Sequence, residues 1–207
     1  MYTTAFHASI EDEETPQAVR LAEYIDTYVD PDTLYDFGCS TGIYVREMKA
    51  RRPAIRAHGY EFSQDAIDNA VIPDSIIHRV NLTESECIDI ETRVGNNTLG
   101  ICLEVLEHIE DAKWPIVLGN IIRNCNILIF SAALPGQGGT GHINCRPRID
   151  WIRRFAELGW VVDLDATQHL VNFMRGGVHM GWFVNNAIVL VPRGDEHPVY
   201  FHNHYLF

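Results

Sequence analysis

A chain of 207 residues, 46% of them apolar, is large enough for one globular domain with a complete hydrophobic core. Its formal net charge of −12 argues against long nucleic acid as a partner, because binding a phosphate backbone requires a surplus of lysine and arginine. We also expect no membrane segment and no signal peptide, and the five scattered cysteines, which form no Cys-x-x-Cys pair, predict reduced thiols and a cytoplasmic location.

The sequence pattern alternates between helices and strands over most of the chain. Residues 1–15 are acidic and polar, and we predict a mobile arm or lid there, followed by a helix that begins at Pro16. Strands are predicted at Leu34–Phe37, Ala57–Glu61, Ser75–His78, Thr98–Leu103, Asn126–Phe130, Trp160–Leu164 and Phe183–Val191. Further helices are predicted at Ile43–Arg51, Asp65–Ala70, Lys113–Asn124 and Arg148–Leu158, whereas the last two strands lack a strong helix between them. Such alternation predicts a parallel sheet with helices on both faces.

A short turn with two glycines follows the first predicted strand, in the sequence Asp36-Phe37-Gly38-Cys39-Ser40-Thr41-Gly42. Such a turn lets a ligand approach bare backbone, and the helix behind it offers unpaired N–H groups. The second strand ends in Glu61, where a carboxylate can accept both hydroxyls of a ribose. The dinucleotide pattern Gly-x-Gly-x-x-Gly is not met, because Ser40 and Ile43 occupy its second and third positions, and no lysine follows Gly42 as in a P-loop. The turn therefore predicts a nucleoside cofactor with a charged amino-acid tail and no pyrophosphate.

Three further features accompany this turn: the acid Glu61, the segment Val80-Asn81-Leu82 and the segment Leu103-Glu104-Val105-Leu106-Glu107-His108-Ile109. Together with the turn, and in this order, they resemble the motifs of class I S-adenosylmethionine-dependent methyltransferases, in the small methyltransferase branch of that family. The resemblance covers roughly residues 33–165. It departs from the family pattern twice, since Ser40 replaces the usual middle glycine and Asn81 stands where an aspartate is common.

This resemblance implies a Rossmann-like, doubly wound sheet of seven mostly parallel strands, with an antiparallel strand at the edge and helices on both faces. It implies a single domain over residues 1–207, with an N-terminal arm and helix at 1–32, a cofactor-binding core at 33–165, and edge strands with a tail at 166–207. The implied cofactor is S-adenosyl-L-methionine. Phe62 is equally consistent with packing on adenine and with a place in the core. The expected cofactor-binding residues are Asp36, Gly38, Cys39, Ser40, Gly42, Glu61, Phe62, Asn81, Leu82 and Glu104.

A second glycine-rich segment, Gly136–Gly141, also fits the dinucleotide pattern and follows a predicted strand. In a true dinucleotide site the third glycine opens a helix. Here His142 to Pro147 intervene, and a residue that precedes proline is biased towards extended backbone. We therefore predict a flexible loop at this segment.

Three residues are candidates for catalysis: Glu104, His108 and His142. Glu104 follows the fourth strand, at the carboxyl edge where open α/β sheets bind ligands, and His108 comes one helical turn later. His142 lies among glycines after the fifth strand, and we predict that it is a general base on a loop that closes over substrate. Both histidines are equally consistent with structural roles. The segment around His108 lacks the first histidine of a zinc-binding helix, so we predict no metal.

We predict methylation of a small molecule or a glycan, on a hydroxyl oxygen. An arginine cluster, defined as Arg146, Arg148, Arg153 and Arg154, leaves a second interpretation open, in which the acceptor is anionic or is an RNA end. A third interpretation is a non-catalytic, cofactor-binding subunit that regulates a partner. The segment from His169 to Trp182 either walls the acceptor pocket or forms a contact in a homodimer.

Overall fold

The computed structural model describes residues 4–85, 87–88, 97–176 and 181–194, and its side chains from residue 13 onward. The strands are β1 (Thr33–Phe37), β2 (Arg56–Glu61), β3 (Ile77–Arg79), β4 (Thr98–Leu103), β5 (Ile127–Ser131), β6 (Trp160–Val162) and β7 (Ile188–Pro192). The helices are α1 (Thr4–Tyr24), α2 (Ile43–Arg51), α3 (Gln64–Asp68), α4 (Trp114–Ile122), α5 (Arg148–Glu157), α6 (Leu164–Arg175) and α7 (Gly181–Asn186). A π-helical turn, Ile25–Val29, continues α1.

All seven strands belong to one sheet, in the order β3-β2-β1-β4-β5-β7-β6. Neighbouring strands from β3 to β5 are parallel, whereas β7 is antiparallel to both β5 and β6. The strand order reverses between β1 and β4, and in open α/β sheets ligands bind at such a reversal, beyond the carboxyl ends of the strands. The predicted fold class is confirmed, including the antiparallel pairing of the last two strands at one edge.

Alternating strand residues build a separate core on each face of the sheet, as the two-residue period of a strand requires. On one face, residues such as Leu34, Ile101 and Ile129 pack with α1, α2 and α6. On the other face, Phe37, Cys102, Leu128 and Phe130 pack with α4 and α5, whose Trp151 and Phe155 are buried. Both faces are therefore covered, as expected for a mostly parallel sheet.

The N-terminal prediction is wrong in one respect, because residues 4–15, which were predicted to belong to an arm, are helical. Pro16, predicted in its first turn, lies inside α1. Proline removes one backbone donor from a helix interior, and the tertiary contacts of α1 outweigh that loss. Gln17, Ala18 and Leu21 on this helix are fully buried. The acidic residues of the N-terminus are thereby carried on a helix that packs against α2.

The chain between β6 and β7 was also predicted incorrectly, since it contains two helices. The side chain of Asp163 caps α6 by accepting a hydrogen bond from the backbone N–H of Ala166 at 2.9 Å. One face of α6 is buried through Ala166, Leu170, Val171 and Met174, a helical spacing that was present in the sequence. The predicted strand Phe183–Val191 is helical at its start, because α7 extends to Asn186. The tail beyond residue 194 lies outside the described residues.

No described helix combines the length and the apolar character that crossing a membrane would require.

Candidate active site

The turn after β1 takes up backbone angles that favour glycine. Gly38 and Gly42 have φ of 80° and 87°, and Ser40 between them has φ of 50°. Gly42 is the residue that caps the N-terminus of α2, so the first N–H groups of that helix point towards this turn. Serine is tolerated at the middle position because its short polar side chain costs less in left-handed backbone than a branched one.

The two glycines also make room for neighbouring protein. A Cβ on Gly38 would lie 2.5 Å from Cγ2 of Val105, and a Cβ on Gly42 would lie 2.5 Å from Cδ1 of Ile72. Val105 belongs to the segment that follows β4. The lack of a side chain at Gly38 therefore brings the first and last motifs of the sequence into direct contact.

Glu61 binds the backbone of the glycine turn and of the two residues that follow β2, at the carboxyl edge of the sheet. Its Oε2 accepts a hydrogen bond from the N–H of Ser40 at 2.8 Å. Its Oε1 accepts two more, from the N–H of Phe62 at 2.8 Å and from the N–H of Ser63 at 2.7 Å. An ionised carboxylate has about four acceptor sites, so one remains for a ligand.

Asp36 is a buried acid with an unused oxygen. Its side chain is 3% exposed, and Oδ2 has no hydrogen-bond partner among the described residues. Burial raises the pKa of Asp36 well above its ordinary value, and the charges of Glu61 and Glu14 raise it further. A buried acceptor without a donor costs roughly 1–3 kcal/mol, and a cationic ligand would relieve that cost.

The remaining residues predicted to bind the cofactor differ in what their side chains contact. Phe62 is 60% exposed, so the alternative that placed it in the core is wrong. Asn81 uses its amide within its own turn, where Oδ1 accepts hydrogen bonds from the N–H and the hydroxyl of Thr83. Leu82 is buried. The sulfur of Cys39 packs against Gly59, at the position that a Cβ on Gly59 would occupy. Cys39 therefore contributes its backbone to the turn, and its thiol points away from it.

Glu104 ends β4 in left-handed backbone, with φ of 53°. Its Oε2 accepts a hydrogen bond from Gln137 at 2.6 Å, and its Oε1 accepts one from Asn186 at 3.2 Å. Asn186 also donates to Oε1 of Gln137 at 2.9 Å, which closes a three-residue network. Neither Gln137 nor Asn186 was predicted as a site residue, because both reach Glu104 only through tertiary folding.

The predicted helical turn from Glu104 to His108 is wrong, because the left-handed residue ends the strand and a 3-10 turn begins only at Leu106. The acid beside the histidines is Glu107, which was part of the recognised motif but was not predicted as a site residue. Oε1 of Glu107 lies 3.9 Å from Nε2 of His142, and the rings of His108 and His142 meet edge to face with centroids 4.9 Å apart. The fold thus joins the segment after β4 to the loop after β5.

Electrostatics in this part of the site are governed by acids. Burial raises the pKa of Glu107 to about 8, with Glu104 as the second cause. Burial also raises the pKa of Glu14 on α1 to about 7, and again the charge of Glu104 adds to the effect. The pKa of His108 is lowered by partial loss of hydration and by His142. Several acids that face one another without compensation favour a positively charged ligand.

The loop Gly136–Gly141 opens no helix, since α5 begins only at Arg148, and the prediction of a loop is confirmed. Gly139 lies against the imidazole of His142, so close that a Cβ there would be 2.1 Å from Nε2. The loop glycine therefore lets the backbone fold over the histidine.

Three of the four arginines of the cluster form ion pairs, which they share between two aspartates. Arg146 and Arg154 both pair with Asp111, at 2.7 Å and 2.8 Å. Arg153 pairs with Asp150 at 3.5 Å. Paired guanidinium groups have less to offer a phosphate, which weakens the interpretation of an anionic or RNA acceptor.

Comparison with known proteins identifies the fold. The sequence matches no protein-family model and no curated protein. The structure is similar to a sugar N-methyltransferase of a Streptoalloteichus species, with a TM-score of 0.60 and 14% identity over 89% of this chain and 88% of the other. It is similar to the O-methyltransferase of a trans-AT PKS multienzyme of Brevibacillus brevis in complex with S-adenosyl-L-homocysteine, with a TM-score of 0.58 and 14% identity over 86% and 72% of the two chains.

A third similar structure is the geranyl diphosphate C-methyltransferase of Streptomyces coelicolor, also in complex with S-adenosyl-L-homocysteine, with a TM-score of 0.54 and 16% identity over 87% of this chain and 81% of the other. These similarities, together with the strand order, show that the chain has the fold of class I S-adenosylmethionine-dependent methyltransferases.

Proposed function

We propose that the protein is an S-adenosylmethionine-dependent methyltransferase that acts on a hydroxyl oxygen of a small molecule or a glycan. The observation that carries this proposal is the pair of acids around the glycine turn. Asp36 offers a buried, unpartnered oxygen, and Glu61 keeps acceptor capacity at the end of β2. The three similar enzymes are described as N-, O- and C-methyltransferases, so they support methyl transfer in general and leave the acceptor atom to the chemistry of the site.

The residues present fit the cofactor in charge and in position. Asp36 would hold the ammonium of its amino-acid tail, and the bare backbone of Gly38 and Ser40 would face that tail. Glu61 would accept one ribose hydroxyl with its remaining acceptor site, and the exposed ring of Phe62 would cover the adenine. When bound, S-adenosylmethionine supplies a methyl group on a sulfonium, which is a good leaving group. Alignment of the acceptor is therefore the main task of the protein.

The acceptor would lie between Glu104 and the two histidines, at the carboxyl ends of β4 and β5. An oxygen acceptor benefits from a base, whereas a neutral amine does not need one. The Nδ1 atom of His142 lies 3.3 Å from the carbonyl oxygen of Gln137 and donates to it, so Nε2 keeps its lone pair. That lone pair is the proposed acceptor of the hydroxyl proton.

Calorimetry on three forms of the protein tests the cofactor assignment. Asp36→Asn should weaken S-adenosylmethionine binding by roughly tenfold or more, because a charge-assisted hydrogen bond is lost. The same change should stabilise the ligand-free protein at pH 8, because a buried carboxyl with a raised pKa is costly when ionised. Glu157→Gln, an exposed change of the same charge on α5, is the matched control. Unchanged affinity in Asp36→Asn would contradict the assignment.

A methyl-transfer assay across sugars, phenols, amines and thiols tests the acceptor class. We expect product only with hydroxyl compounds. Transfer to amines alone would contradict the oxygen proposal and leave the cofactor proposal intact. Tight, salt-sensitive binding of RNA that disappears when Arg146, Arg148, Arg153 and Arg154 are changed to alanine would favour the RNA-end alternative. Cofactor binding without transfer to any acceptor would favour the regulatory subunit.

A further inference from the structure

Three side chains of metal-ligand type converge beside the proposed acceptor position. Glu107 and His108 follow β4, and His142 lies in the loop after β5. One ligand atom from each lies within 4.8 Å of the other two. No metal was predicted, because the ligand spacing of a zinc-binding helix concerns residues of a single helix. The three residues instead come from two segments that only the sheet brings together.

The two histidines share a hydrogen-bond pattern that prepares them for coordination. Nδ1 of His108 lies 3.2 Å from the carbonyl oxygen of Gly141, and Nδ1 of His142 lies 3.3 Å from the carbonyl oxygen of Gln137. A carbonyl can only accept, so each Nδ1 carries the proton and each Nε2 is left with a lone pair. Histidines that bind metals typically donate their other ring N–H to such a partner, which fixes the tautomer and the ring orientation.

Glu107 supplies a buried carboxyl group to this cluster. Its side chain is 0% exposed, and neither carboxylate oxygen has a hydrogen-bond partner of good geometry among the described residues. Its Oε1 is 3.9 Å from Nε2 of His142, which is too long for a hydrogen bond. Two ligand atoms that each lie about 2.1 Å from one cation are separated by roughly 3–4 Å, so the gap suits an ion between them.

We propose that Glu107, His108 and His142 bind one divalent transition-metal cation of the Mn²⁺, Co²⁺ or Zn²⁺ type. Two imidazole nitrogens and one carboxylate oxygen suit these ions better than Mg²⁺ or Ca²⁺, which prefer oxygen ligands. Glu104 is not one of the three converging residues, and its side chain is held by Gln137 and Asn186, but its charge adds to the attraction.

The cation site deepens the proposed function, and only its use in catalysis rests on that proposal. A bound cation lowers the pKa of a hydroxyl that coordinates it, so the hydroxyl loses its proton more readily. The favoured acceptor would be a hydroxyl with a neighbouring oxygen that can also reach the cation. In the metal-bound protein the lone pair on Nε2 of His142 would coordinate the cation. His142 would then not act as the base, and the proton of the hydroxyl would pass to solvent.

The test measures cation binding by the full chain alone, without cofactor or acceptor, after treatment with a chelator. Titration with Mn²⁺, followed by the loss of the free-ion paramagnetic resonance signal, should show one site. His108→Ala and His142→Gln should each weaken binding by roughly tenfold or more, since loss of an outer-shell partner alone costs about 10–100-fold. His108 is exposed, so its variant keeps the fold, and circular dichroism during heating verifies this.

Two control variants address five of the eight other histidines. His58→Asn combined with His78→Asn removes a second close pair, whose ring nitrogens lie 3.0 Å apart. Changing His197, His202 and His204 together to asparagine removes the histidines of the tail. Both controls should bind Mn²⁺ like the native chain. Loss of binding in either control, full binding in His108→Ala, or native binding weaker than about 1 mM for Mn²⁺, Co²⁺ and Zn²⁺ alike would overturn the proposal. Cation binding without methyl transfer would support the site and contradict the proposed function.

Discussion

The N–H of Ser40 donates a hydrogen bond to Oε2 of Glu61 across 2.8 Å, and this contact joins the two halves of the proposed cofactor site. Ser40 has left-handed backbone in the middle of the glycine turn, and Glu61 ends the neighbouring strand. The acid predicted to hold a ribose therefore also fixes the conformation of the turn. Substitution of Glu61 should therefore affect both the stability of the protein and its affinity for the cofactor.

We predict that Glu61→Gln lowers the free energy of unfolding of the ligand-free protein by about 1–3 kcal/mol. A glutamine has only one acceptor oxygen, so its NH₂ group must face either the N–H of Ser40 or the N–H groups of Phe62 and Ser63. Urea denaturation measures the effect. Glu157→Gln is the control and should stay within about 0.5 kcal/mol of the native chain. Equal stability of the two variants would show that Glu61 does not hold the turn.

A pair of glycine variants separates backbone strain from crowding. Gly38→Ala and Gly136→Ala both place a Cβ at positive φ, at 80° and 88°. The new Cβ on Gly38 would lie 2.5 Å from Val105, whereas nothing lies within 4 Å of one on Gly136. We expect a loss of about 1–2 kcal/mol for Gly136→Ala from strain alone, and an additional 1–3 kcal/mol or so for Gly38→Ala from overpacking.

Thermal and urea unfolding measure both glycine variants, and a double variant isolates the contact. Val105→Ala in the Gly38→Ala background removes the two methyl groups that clash, so it should recover part of the additional loss. If the two single variants are equally stable, Gly38 and Val105 are not in the close contact described above.

The sequence predicted the parts of the fold that local patterns determine. The predicted strand Asn126–Phe130 differs from the observed β5 by only one residue at each end. It was recognised because a strand buried on both faces reads as a continuous apolar run, here Ile127–Phe130. The helix α6 was missed although its buried residues have helical spacing and its exposed positions are polar, which is the pattern of an amphipathic helix. Helix α7 and the helical N-terminus depend on tertiary packing, which local patterns do not record.

The sequence predicted which motifs form the candidate site, but it did not predict which side chains contact one another there. Glu61 and the glycine turn were identified because adjacent parallel strands end at the same edge of a sheet. Glu107 was missed because a helix from Glu104 to His108 would place Glu104 beside the histidines. Glu104 instead has left-handed backbone, so no helix starts there and Glu107 faces the histidines. Gln137 and Asn186 are distant in sequence from Glu104, and no local signal marks them.

The two candidate histidines should differ in their effects on turnover and on affinity. His142→Ala should lower turnover with a hydroxyl acceptor by roughly a hundredfold, the scale of a lost base or activating group. Cofactor affinity should change little, because His142 lies at the ends of β4 and β5 and the cofactor turn follows β1. Steady-state kinetics and calorimetry on the same preparations measure both quantities. If His108→Ala abolishes turnover while His142→Ala retains it, the assignment of the base is reversed.

A final prediction concerns Glu14, which α1 carries towards the site. Burial, and next the charge of Glu104, raises its pKa to about 7. The folded protein therefore holds a proton on Glu14 at pH values where the unfolded chain has already lost it. The contribution of Glu14 to the free energy of unfolding therefore falls as the pH rises from about 4.5 to about 7, and it stays lower above that window. Glu14→Gln removes this term, so the variant should exceed the native chain in stability at pH 8 by on the order of 2 kcal/mol and match it at pH 4.

Urea denaturation at several pH values, without cofactor, measures the Glu14 effect as a difference between two chains that both carry Asp36→Asn, because the charge of Glu14 also raises the pKa of Asp36. The raised pKa of Glu107 is common to both chains and cancels. The Glu104→Gln background provides the internal control. Because the charge of Glu104 is the second cause of the shift, the gain from Glu14→Gln at pH 8 should shrink in that background. A stability difference that does not change between pH 4 and pH 8 would mean that Glu14 is hydrated, and α1 would then not close this side of the site.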